Sequence, residues 1–175
     1  MPEQPLETTF PTMLWRQFGA AIDMLENALL ACPNTLWQEH LWSDPEGPEY
    51  GTFREIAYHT LWWLDLYLTG RPEEEFAPPA PFQKRDDEAF SRDEVRAYLL
   101  QLRQKCQTTL TELTDEQARQ PFAFPWPGGA TISYVELQLY SMRHVQEHAA
   151  QLSLFLGQHG ISNETLDWVP RAGEK

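Results

Sequence analysis

Cysteine is scarce in this chain: of its 175 residues only Cys32 and Cys106 carry thiols, too few for a disulfide framework or a cysteine-rich zinc site. The sequence leaves a single bridge between them open. No segment carries 18 uninterrupted apolar residues, which excludes a membrane-spanning helix. Basic residues are few as well. Thirteen Lys plus Arg stand against 26 Asp plus Glu, a formal net charge of -13, and a surface of that average sign repels nucleic acid. Strand-like alternation, internal repeats, a glycine-rich phosphate loop and a serine nucleophile elbow are also missing. The opening Met1-Pro2-Glu3-Gln4-Pro5 lacks the basic and apolar regions of a signal peptide, so a cytoplasmic protein with no nucleic-acid and no membrane partner is expected.

What is present is helical periodicity. With 42% hydrophobic residues, the chain is long enough to bury a core within one domain, 1–175. Apolar residues at Leu14, Phe18, Ala21, Ile22, Leu25, Ala28, Leu29 and Cys32 predict a first helix over 12–32, ended by Pro33-Asn34. Trp37, Leu41 and Trp42, in the connection that follows and that contains Asp44-Pro45-Glu46-Gly47-Pro48, are expected to cover an end of the core. A second helix, 52–69, starts at a capping Thr52 and stops at Gly70. The proline-rich stretch to Phe90 predicts a long surface crossover. Its acidic runs, Glu73-Glu74-Glu75 and Asp86-Asp87-Glu88, are read as solvated loop without function.

Ser91 with Glu94 forms a capping box for a third helix, 92–113, whose stripe of Val95, Leu99, Leu102, Cys106, Leu110 and Leu113 makes Cys106 a core residue. Thr114-Asp115-Glu116-Gln117 suggests one further short turn. The segment from Phe122 to Gly129 is read as structureless, with its aromatics packed over one mouth of the bundle. Ser133 and Glu136 cap a fourth helix, 134–159, closed by Gly160. It has two apolar rows, one through Val135, Leu139, Met142, Ala149, Leu152 and Leu156, the other through Leu137, Ser141, His144, His148, Gln151 and Phe155. A short tail containing Leu166, Trp168 and Val169 is expected to pack back on the surface. The fold class is all-α, a four-helix bundle with long crossover connections.

Within the last helix lies Arg143-His144-Val145-Gln146-Glu147-His148-Ala149-Ala150-Gln151-Leu152. Positions four apart differ by about 40° around a helix axis, so His144 and His148 leave one face one turn apart, a geometry in which two imidazoles can share a metal ion. The alternative is a pair of polar aromatic side chains at the edge of a core, each held by one hydrogen bond. His59 borders the apolar stripe of the second helix and is the natural third ligand. His40 and His159 are read as structural, His159 because its last-turn position suits free carbonyls.

Ala57-Tyr58-His59-Thr60-Leu61-Trp62-Trp63, followed 85 residues after His59 by the His144 and His148 stretch, resembles the DinB-like superfamily. The resemblance implies an up-down-down-up four-helix bundle, often dimeric, with His59, His144 and His148 binding one divalent metal; where many members carry a further histidine, this chain has Glu147. Three imidazoles leave at least one coordination position open, as catalytic sites do. An all-imidazole set suits zinc, nickel, iron or copper. The resemblance further implies a metal-dependent transferase that activates a low-molecular-weight thiol for attack on a small electrophile, with Trp62, Trp63 and Trp126 as pocket walls. Two alternatives stay open: a metal-dependent hydrolase, for which Glu147 is an available base, and a non-enzymatic, stress-associated dimeric binding protein.

Overall fold

The structure is a computed structural model that describes residues 9–42, 51–79, 82–83, 90–124, 126, 128–161 and 168–173. Asp44 to Pro48, Asp86-Asp87-Glu88 and Leu166 lie outside the described residues. Helix α1 spans Phe10–Ala31, α2 Phe53–Thr69, α3 Arg92–Thr111, a short α4 Asp115–Ala118, and α5 Tyr134–Gln158. Each boundary has a local cause. Cys32 is extended ahead of Pro33, which stops α1. The Thr52 side chain accepts the Glu55 backbone N–H, and Gly70 ends α2 in the left-handed region at φ 63. Complete capping boxes open α3 (Ser91 with Glu94), α4 (Thr114 with Gln117) and α5 (Ser133 with Glu136).

Helices α1 and α2 each pack against both α3 and α5, so the four long helices form a square with α1 and α2 on opposite corners. Side-chain bridges give their directions. Arg92, Arg96 and Arg103 of α3 reach Cys32, Glu26 and Asp23 in turn, so α1 and α3 run antiparallel. Tyr134, Gln138 and His144 of α5 meet Leu68, Tyr67 and His59 of α2, which makes α2 and α5 antiparallel too. Tyr58 packs on Phe90 just ahead of α3, and the Tyr98 hydroxyl donates to Asp65, so α2 and α3 run parallel. The order is therefore up, down, down, up. Phe18, Ile22 and Leu29 of α1, Leu61 and Leu64 of α2, Leu99 and Leu110 of α3, and Val145 and Leu152 of α5 make the common core.

Several details depart from the sequence expectations. The segment after α4 is not structureless: strand β1, Pro121–Ala123, pairs antiparallel with β2, Thr131–Ser133, in a hairpin too short to show alternation. Phe122 is buried beneath it in a second cluster with Leu66, Tyr67 and Leu137. On α5, Leu139 is exposed, whereas Gln138 is buried and its amide donates to the Tyr67 carbonyl at 2.9 Å. Backbone capture thus pairs the Gln138 amide nitrogen, while its buried Oε1 has no hydrogen-bond partner among the described residues. Trp37 covers the core as expected, but Trp42 is 41% exposed. In the tail Val169 is buried and Trp168 is 75% exposed. Both cysteines are free and buried, so no bridge joins them.

The tail, α1 and α3 meet at Asp23. Only 1% exposed, it accepts Arg103 Nε at 2.6 Å and the Gly173 backbone N–H at 2.8 Å. Removing one partner of such a pair strands the other without its counter-charge. Asp23→Ala should destabilise the protein by about 3 kcal/mol. Arg96→Ala, at a pair whose arginine side chain is 43% exposed and whose contact is longer at 3.3 Å, should cost less than Asp23→Ala. Urea denaturation followed by circular dichroism measures both.

Candidate metal centre

Antiparallel packing of α2 on α5 sets His59 opposite His144 and His148. His144 Nε2 lies 3.0 Å from His148 Nε2 and 3.2 Å from His59 Nε2, and one nitrogen from each ring falls within 4.8 Å of the others. Two nitrogens bound about 2.0–2.1 Å from one tetrahedral ion sit roughly 3.3–3.4 Å apart. The spacings from His144 to each of the other two rings are thus close to those across a shared cation. The rings are differently seated: His59 is exposed, while His144 and His148 are half-buried.

Tautomers decide whether the donor set fits a metal. His148 Nδ1 is 2.7 Å from Gln151 Oε1, one helical turn on. An amide oxygen can only accept, so the His148 proton belongs on Nδ1 and the bare Nε2 lone pair faces the other two rings. A proton on His144 Nε2 can point squarely at only one of its two neighbours. His59, His144 and His148 would each offer a lone pair to a cation held between them, which would leave the His144 proton on Nδ1, a buried atom with no hydrogen-bond partner among the described residues. The set fits a divalent cation on both counts that the rings themselves control, donor type and spacing.

Electrostatics favour the neutral rings that such binding requires. Burial, reinforced by His148 and His59, pushes the His144 pKa down to about 3. Burial also lowers that of His148, opposed by the Gln151 hydrogen bond and by Glu147. A cation therefore meets little competition from protons near neutral pH. Glu147 itself is exposed, and among the described residues no carboxylate joins the three imidazoles. The protein's own thiols are inert: burial pushes Cys32 up to about 12 and Cys106 higher still.

Beside the imidazoles opens a cleft of about 430 Å³, with His59 and His148 in its lining. Trp62 and Trp63 are among its walls, as are Trp42, Tyr58, Glu55 and Glu73, which the sequence did not single out. Glu55 stands four residues before His59, and Trp62 and Trp63 three and four after. That helical spacing was a signal available in the sequence. Glu73, read as solvated loop, sits in a 3-10 turn at Glu73–Glu75 and lines the cleft. Trp126 is outside the lining; it stacks on Phe124 at 4.4 Å and lies edge-on to Trp63 at 6.2 Å, backing the wall that Trp63 presents. His40 pairs through its backbone with Thr52. His159 Nδ1 lies 2.9 Å from the Phe155 carbonyl, and so serves the α5 terminus.

The fold has a solved counterpart in a DinB-like protein, YjoA, of Bacillus subtilis. It superimposes with a TM-score of 0.57 over 86% of this chain and 94% of its own, at 14% identity. That likeness speaks to the fold alone. No match is found among curated proteins. The sequence model of the DinB superfamily matches residues 17–152, from the second turn of α1 through most of α5. The chain thereby belongs to the DinB superfamily.

Proposed function

We propose that this protein is a divalent-metal-dependent transferase in which His59, His144 and His148 hold the ion and the adjoining cleft receives a small electrophile. The observation that carries the reading is the convergence of three imidazoles at the wall of an aromatic cleft. When bound, the ion supplies Lewis acidity, lowering the pKa of a thiol or water brought to its open side.

The chain's own residues do the rest. Gln151 holds His148 in the tautomer that bares Nε2, and burial keeps His144 neutral. Trp62 and Trp63 offer apolar faces that orient a ligand and keep water from it. Because Cys32 and Cys106 are buried and protonated, the nucleophilic thiol comes from a separate low-molecular-weight donor. Hydrolysis by the same ion is the second reading, since Glu55 and Glu73 in the cleft lining are carboxylates that could serve as its base. Action as a cytoplasmic homodimer is part of the same proposal and rests on the family.

Protein prepared without a polyhistidine tag should bind one equivalent of zinc, nickel or iron, measured by elemental analysis. It should consume a glutathione-like, bacillithiol-like or mycothiol-like thiol in the presence of an electrophile panel, and His144→Ala should abolish both properties. Substoichiometric metal, with a melting temperature unmoved by His144→Ala, would favour a non-enzymatic helical protein.

Gln151→Ala should weaken metal affinity by about 10- to 100-fold while leaving the helical content unchanged, because only the ring's orienting partner is lost. Competition against a chromogenic chelator gives the number.

The histidine pKa shifts also set a pH dependence for the metal-free protein. A folded-state value below the ordinary 6.5 means that the unfolded chain binds more protons between the two values. His144 therefore contributes stability that is complete above pH 6.5 and declines as pH falls below it. Thermal melts between pH 7.5 and 5 should show a falling midpoint, with a shallower slope in His144→Gln.

A further inference from the structure

We propose that the cleft beside the three imidazoles selects a small organic cation, a ligand whose recognised end is a substituted ammonium group. The inference deepens the proposed function by naming the chemical class that the cleft takes. It rests on that reading only in treating the cleft as the substrate's site.

Three observations point the same way. The first is the aromatic lining. Trp62 and Trp63 are neighbours on α2 whose rings meet at 84° with centroids 4.8 Å apart, so their faces form a corner, and Trp42 and Tyr58 add further aromatic wall. Indole faces carry the negative end of the ring quadrupole and attract cations within about 6 Å.

The second is the sign of the charged groups. Glu55 and Glu73 line the same cleft, and among the described residues no lysine or arginine lines it. Arg54 holds Glu55 from outside, with Nη2 on Oε1 at 2.9 Å, which fixes the carboxylate in place. A purely apolar guest would strip water from the Glu73 carboxylate with nothing in exchange. An anionic guest would meet the like charge of Glu73, and that of Glu55 offset by Arg54. A cationic guest satisfies the carboxylates and the ring faces together.

The third is the placement of these groups about His59. At 3.6 residues per turn, Glu55 lies about one turn before His59, and Trp62 and Trp63 about one turn after it. A ligand anchored by its ammonium against the indoles thus carries its other end toward the imidazoles. Recognition and reaction then occupy neighbouring turns of one helix. The cleft volume, about 430 Å³, lies within the range of small-molecule sites.

The test uses the full chain without a tag, with metal content determined first. Metal-free and zinc-loaded samples are titrated with choline and with 3,3-dimethylbutan-1-ol, its neutral carbon analogue, following tryptophan fluorescence and heat. Choline should bind about tenfold tighter than the alcohol in the metal-free form and keep that order with zinc. In the double variant Glu55→Gln with Glu73→Gln the advantage should shrink below about threefold, and Trp62→Leu should weaken choline more than the alcohol. Melting curves establish that the variants fold, and Glu74→Gln, outside the lining, is the control that should change nothing. Equal affinity for the two probes, a preference for the alcohol, or no binding by either overturns the proposal. Failure to hold zinc would overturn the metal-dependent function instead, while leaving the preference for choline to be read separately.

Discussion

The antiparallel seam between α2 and α5 is the constraint on which the site depends. His144 and His148 share a face because they are four residues apart on one helix, but His59 joins them only through the register of that seam. The register is held at several heights, by Tyr134 on the Leu68 carbonyl, Gln138 on the Tyr67 carbonyl and Phe155 against Phe53. A slip of one turn, about 5.4 Å, would exceed the spacing of the imidazole nitrogens and disperse the site. Helices carry all three imidazoles, with no loop among them, so their convergence needs no ordering step.

Polar groups buried in this seam follow one logic. Gln138, Ser141 and His144 succeed one another at three-residue steps along α5, and the first two are fully buried. Gln138 is tied to α2, and Thr60 of α2 to its own helix through the Ile56 carbonyl at 2.7 Å. Away from the seam, buried carboxylates are met by bases on α3: Asp23 by Arg103 and Asp65 by Lys105. The interior therefore holds charge only where a counter-charge spans two helices, and near the imidazoles it holds neutral donors and acceptors. Desolvation is what lowers the pKa values of His144 and His148.

The hairpin after α4 links the second hydrophobic cluster to the cleft. Phe122 and Phe124 pack around Tyr67, and Phe124 carries Trp126 against Trp63. The wall indole is thus braced from behind by residues outside the four long helices. Among the described residues of this segment, Phe122 and Phe124 contact Tyr67, and Trp126 contacts Trp63.

The sequence alone determined the four long helices, because apolar spacing, capping boxes and stop signals are local and each boundary obeyed them within about two residues. It also determined that His144 and His148 face one direction, since helical geometry requires it. Its position beside the second helix's apolar stripe made His59 the natural third ring, and the resemblance added the bundle's up-down-down-up order. Tertiary structure decided what contacts alone can decide: that His59 comes within reach of His144, that Gln151 sets the His148 tautomer, that Glu55 and Glu73 enter the cleft while Trp126 stays behind its wall. The hairpin escaped because strands of three residues leave no periodicity to read, and buried Gln138 because its partner is a carbonyl 71 residues away. Pattern reports what a residue prefers; packing of distant segments determines what it meets.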